Sequence, residues 1–340
     1  MSLLGSTVNS SVVRTLTAAL DGWPSPPRVW LIAVSGGADS VALLHACREV
    51  QSVASSHLHV LHVDHQLREE SATDAAWVAE LCAKYDLPCT IERAATDLRQ
   101  TSEGLEEAAR ELRLASYERV ARNIGAEVVL LAHTADDQAE TVLHHMTRGT
   151  GLRGLAGIPL SRPLADGIQL WRPLLTMRRS ALRDYLKGLG QEFREDHSNR
   201  DESLTRNRLR HTVLPLLEKA CNPQVIEALC RLAEQANETQ AWLKDEAQRG
   251  LTHVILDRTP EQVRFHCEAL APWAPVLIRE CFVQLWTEQG WPRQGMTAAH
   301  WRSLYEMTQE WGPAARDLPG GCTARRRAGL LMLTGPAKFR

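Results

Sequence analysis

The sequence predicts a doubly wound α/β protein, built on a parallel sheet, with a smaller and mainly helical C-terminal domain that ends in short strands. From residue 28, short β-rich runs alternate with longer helical patterns, an order typical of a parallel sheet with helices on both faces. A pair of glycines follows the first β-rich run, just before a helical pattern. Beyond Asn222-Pro223 the alternation stops, and the sequence becomes helical and rich in tryptophan.

The elements follow one another in a regular order. The predicted strands read RVWLIAVS, LHVLHVDH, PCTIERA and EVVLLAH, and the helices between and after them read VALLHACREV, ATDAAWVAELCAKY, GLEEAARELRLASYERVARN and DDQAETVLHHMTRG. Closely spaced glycines over 149–157 then predict a mobile active-site loop. Two long helical patterns follow, VIEALCRLAEQANETQAWLKDEAQRG and VLIRECFVQLWTEQG, and the tail predicts two short strands around a turn. We place the domains at 1–218, with a basic segment at 148–218, and at 219–340.

Composition and charge exclude several classes of protein. The net charge of the 340 residues is −2, so a nucleic-acid partner must be bound by a local basic surface. Residues 141–220 supply one, with fourteen lysines and arginines against eight acidic residues. The eight cysteines form no C-x-x-C pair, which argues against a zinc ribbon, an iron–sulfur site or a redox dithiol. The sequence has no signal peptide and no run of about 18 apolar residues, and we expect a cytoplasmic protein without membrane contact.

The strongest local signal is a phosphate-binding loop between the first strand and the first helix. Adjacent glycines let the backbone approach an anion, while backbone N–H groups and two hydroxyls point at it. The acidic residue of this loop, Asp39, would repel phosphate unless Mg²⁺ lay between them, so the loop predicts metal-bridged pyrophosphate as a leaving group. An accidental glycine turn followed by a helix cap is the simpler alternative. The loop comprises Ser35, Gly36, Gly37, Ala38, Asp39 and Ser40.

Polar residues also follow two later strands. Val63, Asp64 and His65 end the second strand, at the sheet edge where ligands bind in such folds. His133 ends the fourth strand, and the helix after it carries three acidic residues that share a face or nearly do, namely Asp136, Asp137 and Glu140. These carboxylates are expected in the same cleft as the phosphate loop. Their alternative role is to cap the helix and complement its dipole.

The loop S-G-G-x-D-S resembles the PP-loop of the ATP pyrophosphatases, whose fold is adenine nucleotide α-hydrolase-like and whose members form adenylated intermediates and release pyrophosphate. Further motifs follow the loop in order over residues 28–218: HVDH at 62–65, AARELR at 108–113, HTADDQAET at 133–141, RGTGLRGLAGIP at 148–159 and DHSNRDESLTRNRLR at 196–210. The order of the motifs, more than any one of them, carries the resemblance. The ordered set is similar to that of the bacterial tRNA(Ile)-lysidine synthetases.

This resemblance implies a carbon–nitrogen ligase that uses ATP and Mg²⁺. Its substrates would be free L-lysine and an isoleucine tRNA with a CAU anticodon. ATP would adenylate the oxygen on carbon 2 of the wobble cytidine, and the lysine ε-amine would then displace AMP to give lysidine. Because the ammonium must lose a proton before it attacks, an acceptor carboxylate close to it is required. The sequence leaves the oligomeric state open, a homodimer included.

The resemblance also implies roles for individual residues. The loop from Ser35 to Ser40 would bind the phosphates, with Asp39 and Asp137 on the metal, and Val63 to His65 would lie against the adenine. Arg110 would neutralise phosphate charge, with Arg113 as second candidate. His133, Asp136 and Asp137 would surround the lysine amine, Glu140 would meet the cytosine amino group, and Arg206 would reach the α-phosphate. The remaining basic and polar residues would contact tRNA: Arg148, Arg178, Arg179, Arg183, Lys187, Asn207, Arg208 and Arg210.

Three alternatives stay open at this point. A tRNA 2-thiolation enzyme of the same loop family generally needs reactive cysteines or an iron–sulfur cluster, and the cysteine spacing provides no such cluster. An amidotransferase-coupled synthetase would need a glutamine-hydrolysing partner, and no nucleophile motif for one is visible. A non-catalytic tRNA-binding relative would not need the acidic residues at 39, 136, 137 and 140. For each arginine taken alone, a solvated helix face is the competing interpretation.

Overall fold

The computed structural model describes residues 10–23, 25–67, 71–94, 105–195 and 205–336. Two compact units are present, residues 1–235 and residues 236–340. The predicted boundary at residue 218 stays a prediction. Within the described ranges, no helix is both long and apolar enough to span a membrane.

The first unit is built on a six-stranded sheet with the order β3-β2-β1-β4-β6-β5. All neighbouring strands are parallel except the β5–β6 pair, so the predicted doubly wound parallel sheet is confirmed. The strands at the switch of direction, β1 and β4, are neighbours, which creates a crevice at their carboxyl ends. The strands are β1 (Val29–Ala33), β2 (His57–Asp64), β3 (Cys89–Arg93), β4 (Val128–Leu130), β5 (Ser161–Ala165) and β6 (Ile168–Trp171).

Helices cover both faces of this sheet because successive residues of its buried strands point to opposite sides. Trp30 and Ile32 belong to a core shared with α1, α2, α3 and α7, whereas Leu31 belongs to a core shared with α4. The helices of the first unit are α1 (Ser11–Leu20), α2 (Ala38–Ala54), α3 (Ser71–Lys84), α4 (Leu105–Ile124), α5 (Ala135–Thr147), α6 (Leu152–Leu155), α7 (Arg179–Leu189), α8 (Thr205–Arg208) and α9 (Leu214–Ala220), with a π-helical turn at Leu209–Val213.

The second unit packs helices against a five-stranded antiparallel sheet with the order β7-β8-β11-β10-β9. Phe265, Phe282 and Trp286 lie fully buried between them. The predicted pair of C-terminal strands is confirmed as β10 and β11, and the sequence missed β7, β8 and β9. A long helix, α10 (Val225–Val254), precedes these elements: β7 (Ile255–Arg258), β8 (Gln262–His266), α11 (Cys267–Leu270), α12 (Pro275–Glu288), α13 (Ala298–Met307), β9 (Ala315–Asp317), β10 (Thr323–Arg327) and β11 (Leu330–Thr334).

Candidate active site

The phosphate loop connects β1 to α2 and leaves the start of that helix open. Gly36 has a φ of 92°, a backbone conformation that favours glycine. Gly37 precedes α2 with no side chain capping the helix, so backbone N–H groups at this end are available to an anion. Ser40 Oγ donates to Gly37 O (2.9 Å) and lies 3.2 Å from Ser35 Oγ, which fixes both hydroxyls at the mouth of the loop.

Asp39 lies in the first turn of α2 with its two oxygens in different surroundings. Its Oδ2 accepts a hydrogen bond from Arg179 Nε (3.1 Å), whereas its Oδ1 is buried with no hydrogen-bond partner. Burial raises the pKa of Asp39 to about 6, against the opposing effect of Arg179. The phosphate loop therefore carries a carboxylate oxygen that lacks a donor or a cation.

The start of α5 combines helix capping with a functional arrangement. Thr134 caps this helix, and Asp137 Oδ2 accepts hydrogen bonds from Thr134 N (2.9 Å) and Thr134 Oγ1 (2.8 Å). The capping alternative thus accounts for one oxygen of Asp137. Its other oxygen, Oδ1, faces guanidinium groups, and Asp136 Oδ2 accepts from the backbone N–H of Arg179 (2.7 Å). One capping residue therefore also presents a charged oxygen to the cleft.

Arginines from α7 to the π-helical turn hold the acidic residues in an arginine–carboxylate network. Glu140 is 1% exposed and accepts from Arg210 Nε (2.6 Å) and Arg206 Nε (3.0 Å). Arg179 contacts three carboxylates at once: Asp39 at 3.1 Å, Asp137 at 3.0 Å and Glu140 at 3.4 Å. The full network is Asp39, Asp136, Asp137, Glu140, Arg178, Arg179, Arg206 and Arg210.

Arg178 ties this network to the end of the first unit. Its guanidinium donates to Glu227 (2.9 Å) and Glu218 (3.0 Å) and lies 3.5 Å from Asp136. The sequence predicted that Arg178, Arg179 and Arg210 contact tRNA. In the structure these three guanidiniums are bound to carboxylates of the first unit, so their role with tRNA stays a prediction.

The ends of β2 and β4 bring further predicted residues to the same edge of the sheet. Asp64 is buried and accepts from Gln66 N (2.9 Å), and Val63 packs against the α4 side of the sheet. Burial lowers the pKa of His65 and of His133 to about 4, so both imidazoles are neutral at pH 7. Each has a buried Nδ1 without a hydrogen-bond partner.

The other predicted residues lie outside this set of contacts. Arg110 is exposed and pairs with Glu107 on its own helix at 3.7 Å. Asn207 is buried, whereas the four remaining predicted tRNA contacts are exposed cations: Arg148, Arg183, Lys187 and Arg208. Part of the predicted motif, residues 196–204, lies outside the described residues.

Sequence reasoning missed two residues of this region. Gln138 fixes the glycine-rich segment, because its side chain accepts from Ile158 N (2.6 Å) and donates to Ile158 O (3.1 Å). A Cβ at Gly157 would lie 2.5 Å from Gln138 Oε1, so this contact requires glycine. Arg172 is a buried cation directly after β6. An arginine that ends an apolar run was the available signal for it.

The fold and the site define an ATP-binding enzyme of the PP-loop class. A family model described as a PP-loop domain matches residues 8–217. The chain is 36% identical to a tRNA(Ile)-lysidine synthase of Salinispora tropica, over 96% of both chains. It is 37% identical to that of Rhodopirellula baltica, over 81% of this chain and 78% of the relative, and 42% identical to that of Deinococcus radiodurans, over 76% and 42%. The chain belongs to the tRNA(Ile)-lysidine synthase family.

A solved structure shares the fold at low sequence identity. The U34-tRNA thiolase NcsA from Methanococcus maripaludis, with its [4Fe-4S] cluster, matches 67% of this chain and 78% of its own with a TM-score of 0.55 and 18% identity. At this identity the likeness shows the fold alone. Across the described residues of the present chain, no group of three or more histidine, cysteine or acidic side chains is arranged to hold a metal.

Proposed function

We propose that this chain is a ligase that joins lysine to the wobble cytidine of an isoleucine tRNA with a CAU anticodon, using ATP. The observation that carries the proposal is Arg179, whose single guanidinium contacts Asp39 of the phosphate loop and both Asp137 and Glu140 of α5. The phosphate loop and the carboxylates of α5 that would meet the amine and the base therefore lie within reach of one side chain. Membership of the tRNA(Ile)-lysidine synthase family supports the same assignment.

The first half of the reaction uses the phosphate loop. The cytidine oxygen on carbon 2 attacks the α-phosphorus, and the bond to pyrophosphate breaks. Backbone N–H groups at the start of α2 and the hydroxyls of Ser35 and Ser40 would hold the phosphate oxygens. Arg206, which is 45% exposed and already at the site, can move to the negative charge that develops on the α-phosphate.

The second half uses the carboxylates of α5. Adenylation turns the oxygen on carbon 2 into part of a good leaving group, AMP, and the lysine ε-amine forms the new carbon–nitrogen bond. Asp137, together with Asp136 and His133, would orient the ammonium, and Asp137 would accept its proton as it attacks. Glu140 would accept a hydrogen bond from the cytosine amino group. Asp137 and Glu140 are ringed by arginines, and substrate groups would have to replace some of these.

Mg²⁺ is part of this proposal, and the residues fit it. Mg²⁺ is usually held by one or two carboxylates together with substrate phosphates and waters. Asp39 Oδ1 is a buried oxygen without a partner beside the phosphate loop, and Asp137 Oδ1 faces the same arginine. When bound there, the ion would neutralise charge on the leaving pyrophosphate.

We also propose how the chain divides this work. Residues 1–218 would carry the chemistry, with the basic segment 148–218 facing the tRNA, and residues 219–340 would bind tRNA. A homodimer is one assembly state to be tested by light scattering.

The decisive experiment analyses tRNA nucleosides by mass spectrometry after incubation with ATP and isotope-labelled lysine. We expect a labelled cytidine derivative from CAU-anticodon isoleucine tRNA, with one AMP and one pyrophosphate released for each lysine incorporated. Pyrophosphate release with no label in the tRNA would reject lysine as the amine. Absence of any nucleotide turnover would reject the enzyme assignment itself.

A further inference from the structure

A second cluster of charged and polar groups lies on the α4 side of the sheet, at the same carboxyl edge. Val63, Leu131 and Leu170 pack into the core shared with α4. Two residues beyond each of them stand His65, His133 and Arg172. These three residues follow the ends of β2, β4 and β6 at this edge, and Leu131 N donates to Trp171 O (2.9 Å), so the segments that lead to His133 and Arg172 run side by side. Arg113 of α4 completes what we call the histidine–arginine cluster, which is His65, Arg113, His133 and Arg172.

Electrostatic effects link the members of the cluster. After burial, Arg113 contributes to lowering the pKa of both His65 and His133, and Arg172 contributes to lowering that of His133. Burial raises the pKa of Tyr117 on α4, and both arginines oppose this rise. The cluster therefore combines two cations with two neutral imidazoles.

Arg172 is the member whose charge is least compensated. It is 6% exposed, and its Nη1 donates to Pro159 O (2.8 Å), while its Nε is buried without a partner. Among the described residues, no carboxylate forms an ion pair with it, and the charged group that acts most on its pKa is another cation, Arg162. A buried guanidinium without a counterion is unfavourable, so this position favours an anion from outside the chain.

The cluster borders the arginine–carboxylate network. His133 lies directly before Thr134, which caps α5, and Asp137 of the network acts on the pKa of His133. Acidic groups that suit an ammonium thus adjoin cationic groups that suit a carboxylate. An amino acid with a charge at each end fits both sets at once.

We propose that Arg172, assisted by Arg113, binds the α-carboxylate of the lysine whose ε-amine points at Asp137. This inference rests on the proposed function. A triphosphate has its own donors at the phosphate loop, on the opposite face of the sheet, where Val34 packs with α2. A tRNA backbone phosphate is less suited to Arg172 because the side chain is buried, whereas a free amino acid can enter such a site.

The test compares lysine with two analogues that lack the carboxylate charge, lysinamide and 1,5-diaminopentane. The measured quantity is kcat/KM for amine transfer to the tRNA, in the wild-type protein and in Arg172→Met. We expect the wild type to prefer lysine strongly and the variant to lose on the order of 30-fold or more in kcat/KM for lysine. Transfer of 1,5-diaminopentane should change little, so the preference for lysine should collapse. Pyrophosphate release in the absence of amine should be unchanged.

Controls separate this role from a general loss of positive charge or of structure. Arg122→Met removes an exposed arginine of α4 that pairs with Glu118, and it should leave the lysine preference intact. Arg113→Gln alters an exposed side chain and should lower the preference without affecting folding, which keeps the test valid if Arg172→Met does not fold.

Three results would overturn the inference. The first is an unchanged ratio between lysine and 1,5-diaminopentane in both cluster variants. The second is an increase in the KM for ATP, with the lysine preference intact, which would assign the cluster to phosphate. The third is a wild-type protein that adenylates tRNA but transfers neither lysine nor its analogues. That last result would reject the proposed function as well, whereas the first two leave it standing.

Discussion

The two charged clusters at the carboxyl edge of the sheet are balanced in opposite ways. In the arginine–carboxylate network every acidic residue contacts at least one guanidinium, and Glu140 contacts three. In the histidine–arginine cluster, Arg172 has a backbone carbonyl but no carboxylate in the described chain. The difference teaches that buried charge alone does not mark a binding site. The partners of that charge indicate whether a ligand must displace a group or complete a site.

On the proposed function, the network is a site that a substrate must open. Arg179 lies where the substrate ammonium would have to lie to reach Asp137. The removal of Arg179 from the carboxylates that it contacts, without a replacement, would leave buried negative charge, which is strongly unfavourable. An incoming triphosphate offers the arginine a new anionic partner, and an incoming ammonium offers the carboxylates a new cation. The two exchanges therefore favour each other.

The largest expected effect concerns Asp39, the network member with one unpaired oxygen. Asp39→Asn should reduce adenylation by at least about 10²- to 10³-fold, because the neutral amide weakens the interaction with a cation beside the pyrophosphate. The fold should persist, since Asp39 lies at the start of α2 rather than in the core. The measurement is ATP–pyrophosphate exchange together with circular dichroism. Near-normal exchange in a folded variant would remove Asp39 from the chemistry.

The next effect concerns the binding of tRNA at increasing salt. Affinity should fall by orders of magnitude between low and moderate salt if several exposed cations contact phosphates. The contrast between exposed arginines and arginines held by carboxylates predicts which side chains contribute to the salt dependence of tRNA binding. Arg183→Gln, an exposed residue, should reduce the salt slope by about one, whereas Arg178→Gln should leave the slope unchanged because three carboxylates hold Arg178.

Filter binding of the tRNA at about 50 to 300 mM salt gives the salt slopes of both variants. Equal slope changes in the two variants would show that Arg178 leaves its carboxylates when tRNA binds. A flat profile in the wild type would remove the basic segment from the interface.

A smaller effect concerns the choice of base by Glu140. A carboxylate accepts a hydrogen bond from the amino group of cytosine and repels the carbonyl oxygen of uracil at the same position. Glu140→Gln should keep ATP affinity, lose most transfer to cytidine, and narrow the preference for CAU over UAU anticodons by about 1–3 kcal/mol. The measurement is kcat/KM for both tRNAs. An unchanged ratio would show that Glu140 does not read the base and that its role is to pair with the arginines around its buried carboxylate.

Much of the fold followed from local pattern. The strands β1, β2 and β4 are apolar and alternate with long helices, so the parallel sheet was predictable. The hairpin β5–β6 was not, because Ser161–Ala165 contains an arginine and a proline and pairs at the sheet edge, where apolar pattern is weak. Likewise β7 follows a 30-residue helix directly, and no turn signal separates it from that helix.

The residues of the candidate site were likewise predictable only in part. The phosphate loop and the acids of α5 follow strand ends, and short-range sequence order places such residues at one edge. The pairing of Glu140 with Arg206 and Arg210 joins residues about seventy positions apart, and their spacing carries no signal of contact. Sequence charge counts therefore treated Arg178, Arg179 and Arg210 as surface cations. Arg172 escaped notice because an arginine that ends an apolar run is a weak signal until the fold shows that its side chain is buried.

The smallest expected effect is a change in the titration of His65, and it tests whether Arg113 acts on the imidazoles of the histidine–arginine cluster. Burial lowers the pKa of His65 most, Arg113 and then His62 add smaller lowering effects, Asp64 opposes them, and together these influences bring the pKa to about 4. Because the folded pKa lies below the ordinary value of 6.5, neutral His65 contributes stability that is present above pH 6.5 and is lost as the pH falls toward 4.

Arg113→Gln removes one lowering influence, so the pKa of His65 should rise while staying below 6.5, since burial remains. Stability should accordingly decline less on acidification in this variant. NMR titration of the imidazole, assigned with His65→Gln, measures the shift, and Arg178→Gln is the matched control from the arginine–carboxylate network. Lysine at saturation should raise the pKa of His65 in the wild type, because its carboxylate would screen Arg113, and should raise it less in Arg113→Gln. If the pKa of His65 changes neither in Arg113→Gln nor on addition of lysine, the two clusters do not differ in the way their contacts indicate.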